Sequence, residues 1–238
     1  MSFTDTLGID AMNSGRGALD YFRTGIAAYK KGDTEEAVRL LRYAAAMGYM
    51  GAKWKLARMY AEGDGVPESG MEAYIFFLEI VHDGADPGSQ NESYISDALV
   101  ALGHYMRKGI AGTSVKSDPV RARFFYVQAA SNFGNPRAQF ELGRMLLLGE
   151  GGDKNLLQAA RWFQLSAKKG NAAAQAMLGS MLFQAGKKIR GLAMMTVAFE
   201  RAKSVDRDWI QSMWEKAFSV SAERDRRTAI SLASDISF

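Results

Sequence analysis

Two histidines, His82 and His104, and no cysteine leave this chain little material for catalysis or metal binding. His82-Asp83 with Asp86 gathers one imidazole and two carboxylates. A histidine-based metal site needs further ligands at fixed spacing, and no second histidine stands near, so the segment reads as a solvated loop. His104 lies in a helical pattern and could titrate at an interface; the plainer reading is a half-buried helical histidine. Gly63-Asp64-Gly65 and Gly149-Glu150-Gly151-Gly152 look like phosphate-binding loops. A P-loop requires a lysine and a Ser or Thr opening a helix after a strand. Neither segment has that context, and both read as turns. No Ser/His/Asp order or carboxylate pair stands out from the surface charge. The expectation is a protein that is not an enzyme, with no cofactor and no metal.

The elements around these residues are constrained by composition. A chain of 238 residues with 47% hydrophobic content can bury a sizeable core. The net charge of +4 is spread among interleaved acids and bases, so neither nucleic acid nor a polybasic membrane contact is expected. Absence of cysteine removes disulfides and thiol chemistry. No apolar run reaches membrane-spanning length. The start, MSFTDTLGIDAMNSG, has neither a basic nor an apolar signal region, so no signal peptide is expected within this chain.

Self-similarity then sets the organisation. Ala52, Ala98, Ala138 and Ala174 each begin a stretch with leucine four positions on (Leu56, Leu102, Leu142, Leu178) and Ala or Gly next (Ala57, Gly103, Gly143, Gly179). A second motif runs from a small residue to a closing glycine, as in Ala37 to Gly48, Ala73 to Gly84 and Ala159 to Gly170. Bulky pairs follow its alanine at +3 and +4: Leu40–Leu41, Phe76–Phe77, Phe125–Tyr126 and Trp162–Phe163. With small residues at +7 and +8, these make one apolar helical stripe. Each repeat is therefore a helix pair too small to bury its own face, and it requires copies of itself as neighbours. Gly143 inside a helix implies a close approach, and small alanines on the facing helix are expected to meet it. The second helix of the last repeat is expected over roughly Gly191 to Lys203, without a closing glycine. Asp208 to Ala222 and Ala222 to Ile236 read as capping helices, which shield the end of a repeat array. The boundaries expected are a polar N-terminal arm at 1–17, the repeats at 18–203 and the caps at 204–238. Inserted loops fall at Gly63 to Gly70, Asp83 to Glu92 and Ile110 to Asp118.

The combined pattern, carried by Ala52, Leu56, Tyr60, Gly63, Gly65 and Val66 and again by Leu142, Gly143, Gly149, Trp162, Phe163, Ala167 and Gly170, resembles the Sel1-like repeat, a relative of the tetratricopeptide repeat. Departures occur at Met145-Leu146-Leu147, where the tyrosine is missing, and at Arg190-Gly191-Leu192. The resemblance implies an all-α, right-handed α-solenoid of about five helix-turn-helix repeats with C-terminal capping helices. Size, repeat count and lack of cysteine further resemble the exopolysaccharide regulators of alphaproteobacteria. That likeness implies an exported protein which binds and inhibits a sensor histidine kinase through its periplasmic domain, controlling exopolysaccharide synthesis and motility. On this reading the location is the periplasm and the chain is the mature form. The alternative is a Sel1-repeat assembly scaffold in the cytoplasm, or an accessory to a cell-envelope enzyme.

In tetratricopeptide-like arrays the first helices line the concave side, with the residue before the register alanine and positions +2, +6, +9 and +10 turned inward. Here these include Trp54, Arg58, His104, Arg107, Lys108, Arg137, Phe140 and Arg144, along with Glu62, Asp97, Val100, Leu147, Leu148 and Phe183. Bases outnumber acids among them, and Trp54 and Phe140 interleave. Such a face suits an acidic, partly apolar protein partner, with guanidinium forks for carboxylates and aromatic anchors for affinity.

Overall fold

The structure, a computed structural model, describes residues 17–236; the expected N-terminal arm lies outside them except for Gly17. Twelve helices and no strand occur among the described residues. They are α1 (Ala18–Lys30), α2 (Thr34–Ala46), α3 (Met50–Glu62), α4 (Gly70–Asp83), α5 (Asn91–Lys108) and α6 (Pro119–Asn132), followed by α7 (Pro136–Leu148), α8 (Leu156–Ala167), α9 (Ala172–Gln184), α10 (Lys188–Arg201), α11 (Ser204–Ser219) and α12 (Glu223–Asp235).

Side-chain caps fix where many of these helices begin. Asp33 accepts a hydrogen bond from the Glu36 amide at 3.2 Å, and Asn155 and Asn171 each accept one at 2.9 Å from the amide three residues on. Asn135 accepts from the Arg137 and Ala138 amides, with Pro136 at the first helical position. Such a cap is worth about 1 kcal/mol, and proline there gives up an amide that had no helical partner anyway. At the far end of α7, Gly149 takes φ +77° and donates its N–H to Met145 O at 2.8 Å. A side chain at that φ would be strained.

The chain forms two compact units, one ending at Phe125 and the other beginning at Tyr126. In the first unit each helix packs on the next, α1 on α2, α2 on α3, α3 on α4 and α4 on α5, and α3 also touches α5. Its core includes Tyr21, Leu40, Leu41, Ala44, Leu56 and Met59. In the second, α7 packs on α8, α8 on α9 and α9 on α10. The last two helices cover the array: α11 lies against α9 and α10, and α12 against α10. Leu192, Ala193 and Met195 thereby meet Ala217 and Ala229.

The repeat register explains what is buried. Ala52, Ala98, Ala138 and Ala174 are fully enclosed, as are Leu56 and Leu102, with Leu142 nearly so. The +4 residues of the second helices, Leu41, Phe77, Tyr126 and Phe163, are likewise buried. Each such side chain contributes roughly 1.5–3 kcal/mol by leaving water. The +3 residues Phe76, Phe125 and Trp162 are only half-buried, and so is Leu178, the last register leucine.

Three expectations are corrected. The last repeat's second helix begins at Lys188 rather than Gly191 and ends at Arg201, while the caps begin at Ser204 and Glu223. What faces Gly143 is the ring of Phe163, not a small alanine: a Cβ built there would stand 2.8 Å from Phe163 Cε1. True backbone contact occurs between α9 and α10, where a Cβ on Gly191 would lie 2.6 Å from Gly179 O.

Candidate functional site

The eight candidate surface residues fall into two sets, one in each unit. In the first unit Trp54 and Arg58 sit one helical turn apart on α3. Trp54 is half-buried, its ring 5.5 Å from that of Tyr94 in α5. The Arg58 guanidinium lies 5.4 Å over the same indole and pairs with Glu62. A cation–π contact at an exposed site contributes about 0.5–1 kcal/mol, so this face is a pre-set aromatic and guanidinium pair. His104, Arg107 and Lys108 occupy the last turns of α5, half-buried, half-buried and exposed respectively. The two bases there complement the negative end of the helix dipole. Val100, expected to face inward with them, is core at 4% exposure.

In the second unit Arg137, Phe140 and Arg144 share one face of α7. Arg137 is exposed. Phe140 packs on Phe163 with ring centroids 5.9 Å apart. Arg144 donates from Nε to Glu141 Oε2 at 3.1 Å, and both side chains are largely covered, at 24% and 15% exposure. The expected surplus of base over acid, which already counts Glu62, therefore shrinks by the one acid Glu141. Arg58 is paired with Glu62, and Arg144 is paired with Glu141, a residue at +3 that the inward positions leave out.

Other charged residues turn out to be engaged within the fold. Asp83 accepts from Lys53 Nζ at 2.8 Å, with Glu79 of the same helix at 3.0 Å. Lys53 is 8% exposed; burial pulls its pKa down, and the two carboxylates more than offset this, holding it above the ordinary lysine value. Asp83 is therefore a lysine partner rather than part of a cation site with His82. Among the described residues no group of three or more His, Cys, Asp or Glu converges as a metal site would require. In the Gly63-Asp64-Gly65 turn, Asp64 accepts from the Tyr29 hydroxyl at 2.5 Å and from Lys55 Nζ at 3.3 Å. The Lys55 ammonium also lies 3.5 Å above the Tyr29 ring. The Tyr29 hydrogen bond and then Lys55 hold the Asp64 carboxyl below its usual range. This supposed phosphate loop is a turn locked to the preceding helix pair.

One surface feature escaped the repeat register. In the second unit an open cleft of about 530 Å³ lies between the start of α7, the α8–α9 turn and the α10–α11 junction. Arg137, Phe140 and Glu141 line it together with Lys169, Arg201 and Lys203. The last three lie in turns or at helix ends, where the register assigns no direction. Lys169 and Lys203 stand just before helix starts, where acids are the usual choice, while Arg201 closes α10.

Stacked helix pairs with closing glycines, enclosed register alanines and an end covered by extra helices define an α-solenoid repeat protein, a class that acts through surfaces. Solved structures agree on that fold. The crystal structure of c5321, a protective antigen of uropathogenic Escherichia coli displaying an SLR fold, superposes with a TM-score of 0.71 at 22% identity, over 92% of this chain and 45% of the other. A Sel1 repeat protein from Oxalobacter formigenes gives a TM-score of 0.64 at 22% identity, over 94% and 89%. The Sel1 repeat itself matches residues 16–49, 51–79, 96–132, 136–171 and 172–191, and the chain belongs to that family. The fifth match stops within the first turn of α10, where the pattern fades. Two further relatives, each an "Exopolysaccharide production negative regulator", come from Rhizobium leguminosarum bv. viciae and Rhizobium meliloti (strain 1021). Each is 46% identical over 220 residues, spanning 92% of this chain and 82% of its own length.

Proposed function

We propose that this chain is a negative regulator of exopolysaccharide production that works by binding a protein, the external domain of a membrane sensor histidine kinase, in the periplasm. The observation that carries the reading is 46% identity over 92% of the chain to two regulators of that name. The Sel1 fold supports it, because repeat arrays of this kind bury their register positions against one another and leave the remaining positions for partners. Arg58 stacked on Trp54 is one such surface; Arg137 beside Phe140 is another. The action proposed is restraint by occupancy, with no bond made or broken by this chain.

Deleting the gene should raise exopolysaccharide output, and the intact gene should restore it. The chain, used as bait on an envelope fraction, should retain the kinase's external domain. Fractionation should find the protein with periplasmic markers. Unchanged polysaccharide in the deletion strain would refute the regulatory reading; a cytoplasmic protein would refute the location and the external partner.

A further inference from the structure

The cleft at the α7, α9 and α11 starts is charged in a way that folding does not explain. Four cations line it, Arg137, Lys169, Arg201 and Lys203, against two acids, Glu141 and Asp206. Both acids already have work within the fold. Glu141 takes the Arg144 guanidinium, and Asp206 Oδ1 accepts from Trp209 Nε1 at 3.0 Å. Lys169 Nζ donates to Gly134 O. Arg137, Arg201 and Lys203 form no ion pair among the described residues. With the Glu141 charge met by Arg144, four cations stand in one open cleft against the single Asp206 carboxylate, and that excess raises the local potential and attracts anions.

The position of these bases adds to the case. Lys203 is the N-cap of α11 and makes no side-chain cap bond. Arg137 is the second residue of α7, and Lys169 stands just ahead of Asn171, the N-cap of α9. A base at the positive end of a helix dipole is unfavourable. An anion in the cleft would relieve Arg137 and Lys203 together.

The lining between the charges tells what kind of anion fits. Pro136, Ala172 and Val205 are aliphatic, and Val205 is 83% exposed. The one aromatic ring, Phe140, is half-buried and tilted against Phe163 with centroids 5.9 Å apart, so it adds apolar edge to the cleft rather than an open stacking platform. Aliphatic surface interleaved with cations suits a chain that alternates carboxylates with apolar side chains.

We propose that this cleft binds an acidic peptide segment of a protein partner, with Arg137, Arg201 and Lys203 taking its carboxylates and Val205 and Phe140 contacting its apolar side chains. The site rests on the regulatory reading above only in taking the segment to come from a protein. It extends that reading by carrying the binding surface past the last Sel1 match, which ends at residue 191, to the junction with the caps.

The test uses the full chain and a blocked, labelled peptide alternating Glu and Leu, followed by fluorescence anisotropy. The peptide should bind, should bind about tenfold more weakly when Gln replaces Glu, and should weaken as salt screens the charges. The Arg201→Glu/Lys203→Glu variant should lose about tenfold in affinity with an unchanged melting temperature. Reversing Arg161 and Arg224, exposed bases of the same unit away from the cleft, should leave affinity as it was. If the double reversal unfolds the protein, Arg201→Gln/Lys203→Gln serves in its place. Equal binding of the Gln peptide, equal loss in the Arg161/Arg224 control, or tighter binding of an oligogalacturonate than of the peptide would each overturn the proposal. A kinase domain held equally by the wild type and the Arg201/Lys203 variant sinks the cleft and spares the regulatory reading. A wild type that binds the peptide but holds no kinase domain does the reverse.

Discussion

Gly191 is where adding a single methyl group should be most damaging. In a helix interior Gly→Ala normally stabilises by about 1 kcal/mol. In α10 the new Cβ would lie 2.6 Å from Gly179 O, 2.6 Å from Phe183 N and 2.9 Å from Phe183 Cα. All three obstacles are backbone, so no side chain can turn away and α10 itself must retreat from α9. Overpacking of a core costs about 1–3 kcal/mol, and a backbone obstruction belongs near the top of that range. Setting about 3 kcal/mol of strain against about 1 kcal/mol of helix gain leaves a loss of roughly 2 kcal/mol. At about 4 °C per kcal/mol for a unit near 100 residues, Gly191→Ala should melt roughly 8 °C lower. Tryptophan fluorescence is a suitable readout, because Trp214 donates to Thr196 Oγ1 of α10 at 2.9 Å and stacks on Phe199 at 5.5 Å. Gly25→Ala is the control: its Cβ meets Leu41 Cγ at 3.1 Å, Ala37 O at 3.3 Å and Leu40 Cβ at 3.3 Å, none as near as the obstacles at Gly191. It should change the melting point much less. A Gly191→Ala protein as stable as the wild type would refute the contact between α9 and α10.

Further outcomes follow from the buried charges and the core. Leu142 is 2% exposed, and Leu142→Ala should cost about 2–5 kcal/mol in urea unfolding through the cavity it leaves. Glu79→Gln with Asp83→Asn strands the Lys53 ammonium and should cost about 1–2 kcal/mol, less than the 3–5 of a fully buried pair because the carboxylates are partly solvated; Lys53→Met, which keeps the stem, should be nearly neutral. Since the Lys53 pKa is raised on folding, its stabilisation is complete at neutral pH and fades as pH climbs past the unfolded value near 10.4. The melting-point difference between wild type and Lys53→Met should therefore hold constant from about pH 6 to 9 and change as pH rises beyond that range. Asp64 shifts the other way, so what Tyr29→Phe removes should be present above about pH 3.9 and vanish on acidification.

The sequence carried the fold because repetition averages out local ambiguity. One small residue followed by leucine at +4 means little; four copies in register identify an enclosed seam, and the structure buries Ala52, Ala98, Ala138 and Ala174 without exception. Where copies ran out, reading faltered: α10 starts three residues earlier than expected and lacks the pattern that would have revealed the Gly179–Gly191 approach. The surface was harder to read for another reason. Choosing inward positions by register captured Arg58 and Arg144 but not what neutralises Arg144, because Glu141 sits one step outside the chosen set. Val100 passed as surface since register gives a direction, while burial depends on which neighbour arrives there. Arg201 and Lys203 belong to a junction, and no periodicity reaches a junction.

The junction also ties stability to recognition. Contact between Gly179 and Gly191 seats α10 on α9 at backbone distance, and α10 ends at Arg201, one residue before Ala202 and Lys203 turn the chain into α11. The packing that holds α10 therefore also sets where the two cations stand relative to Asn171 and Ala172 at the head of α9. Gly191→Ala should accordingly lose peptide affinity along with melting temperature, because it moves the helix that carries Arg201. Arg201→Glu/Lys203→Glu should lose affinity alone, because both side chains are exposed and an acid that disfavours the end of α10 is offset by an acid that favours the start of α11. Full peptide affinity in a Gly191→Ala protein that is folded but less stable would show that the cleft is not set by this contact. Loss in both variants, with destabilisation in only one, would separate positioning of the cleft from the charges that line it.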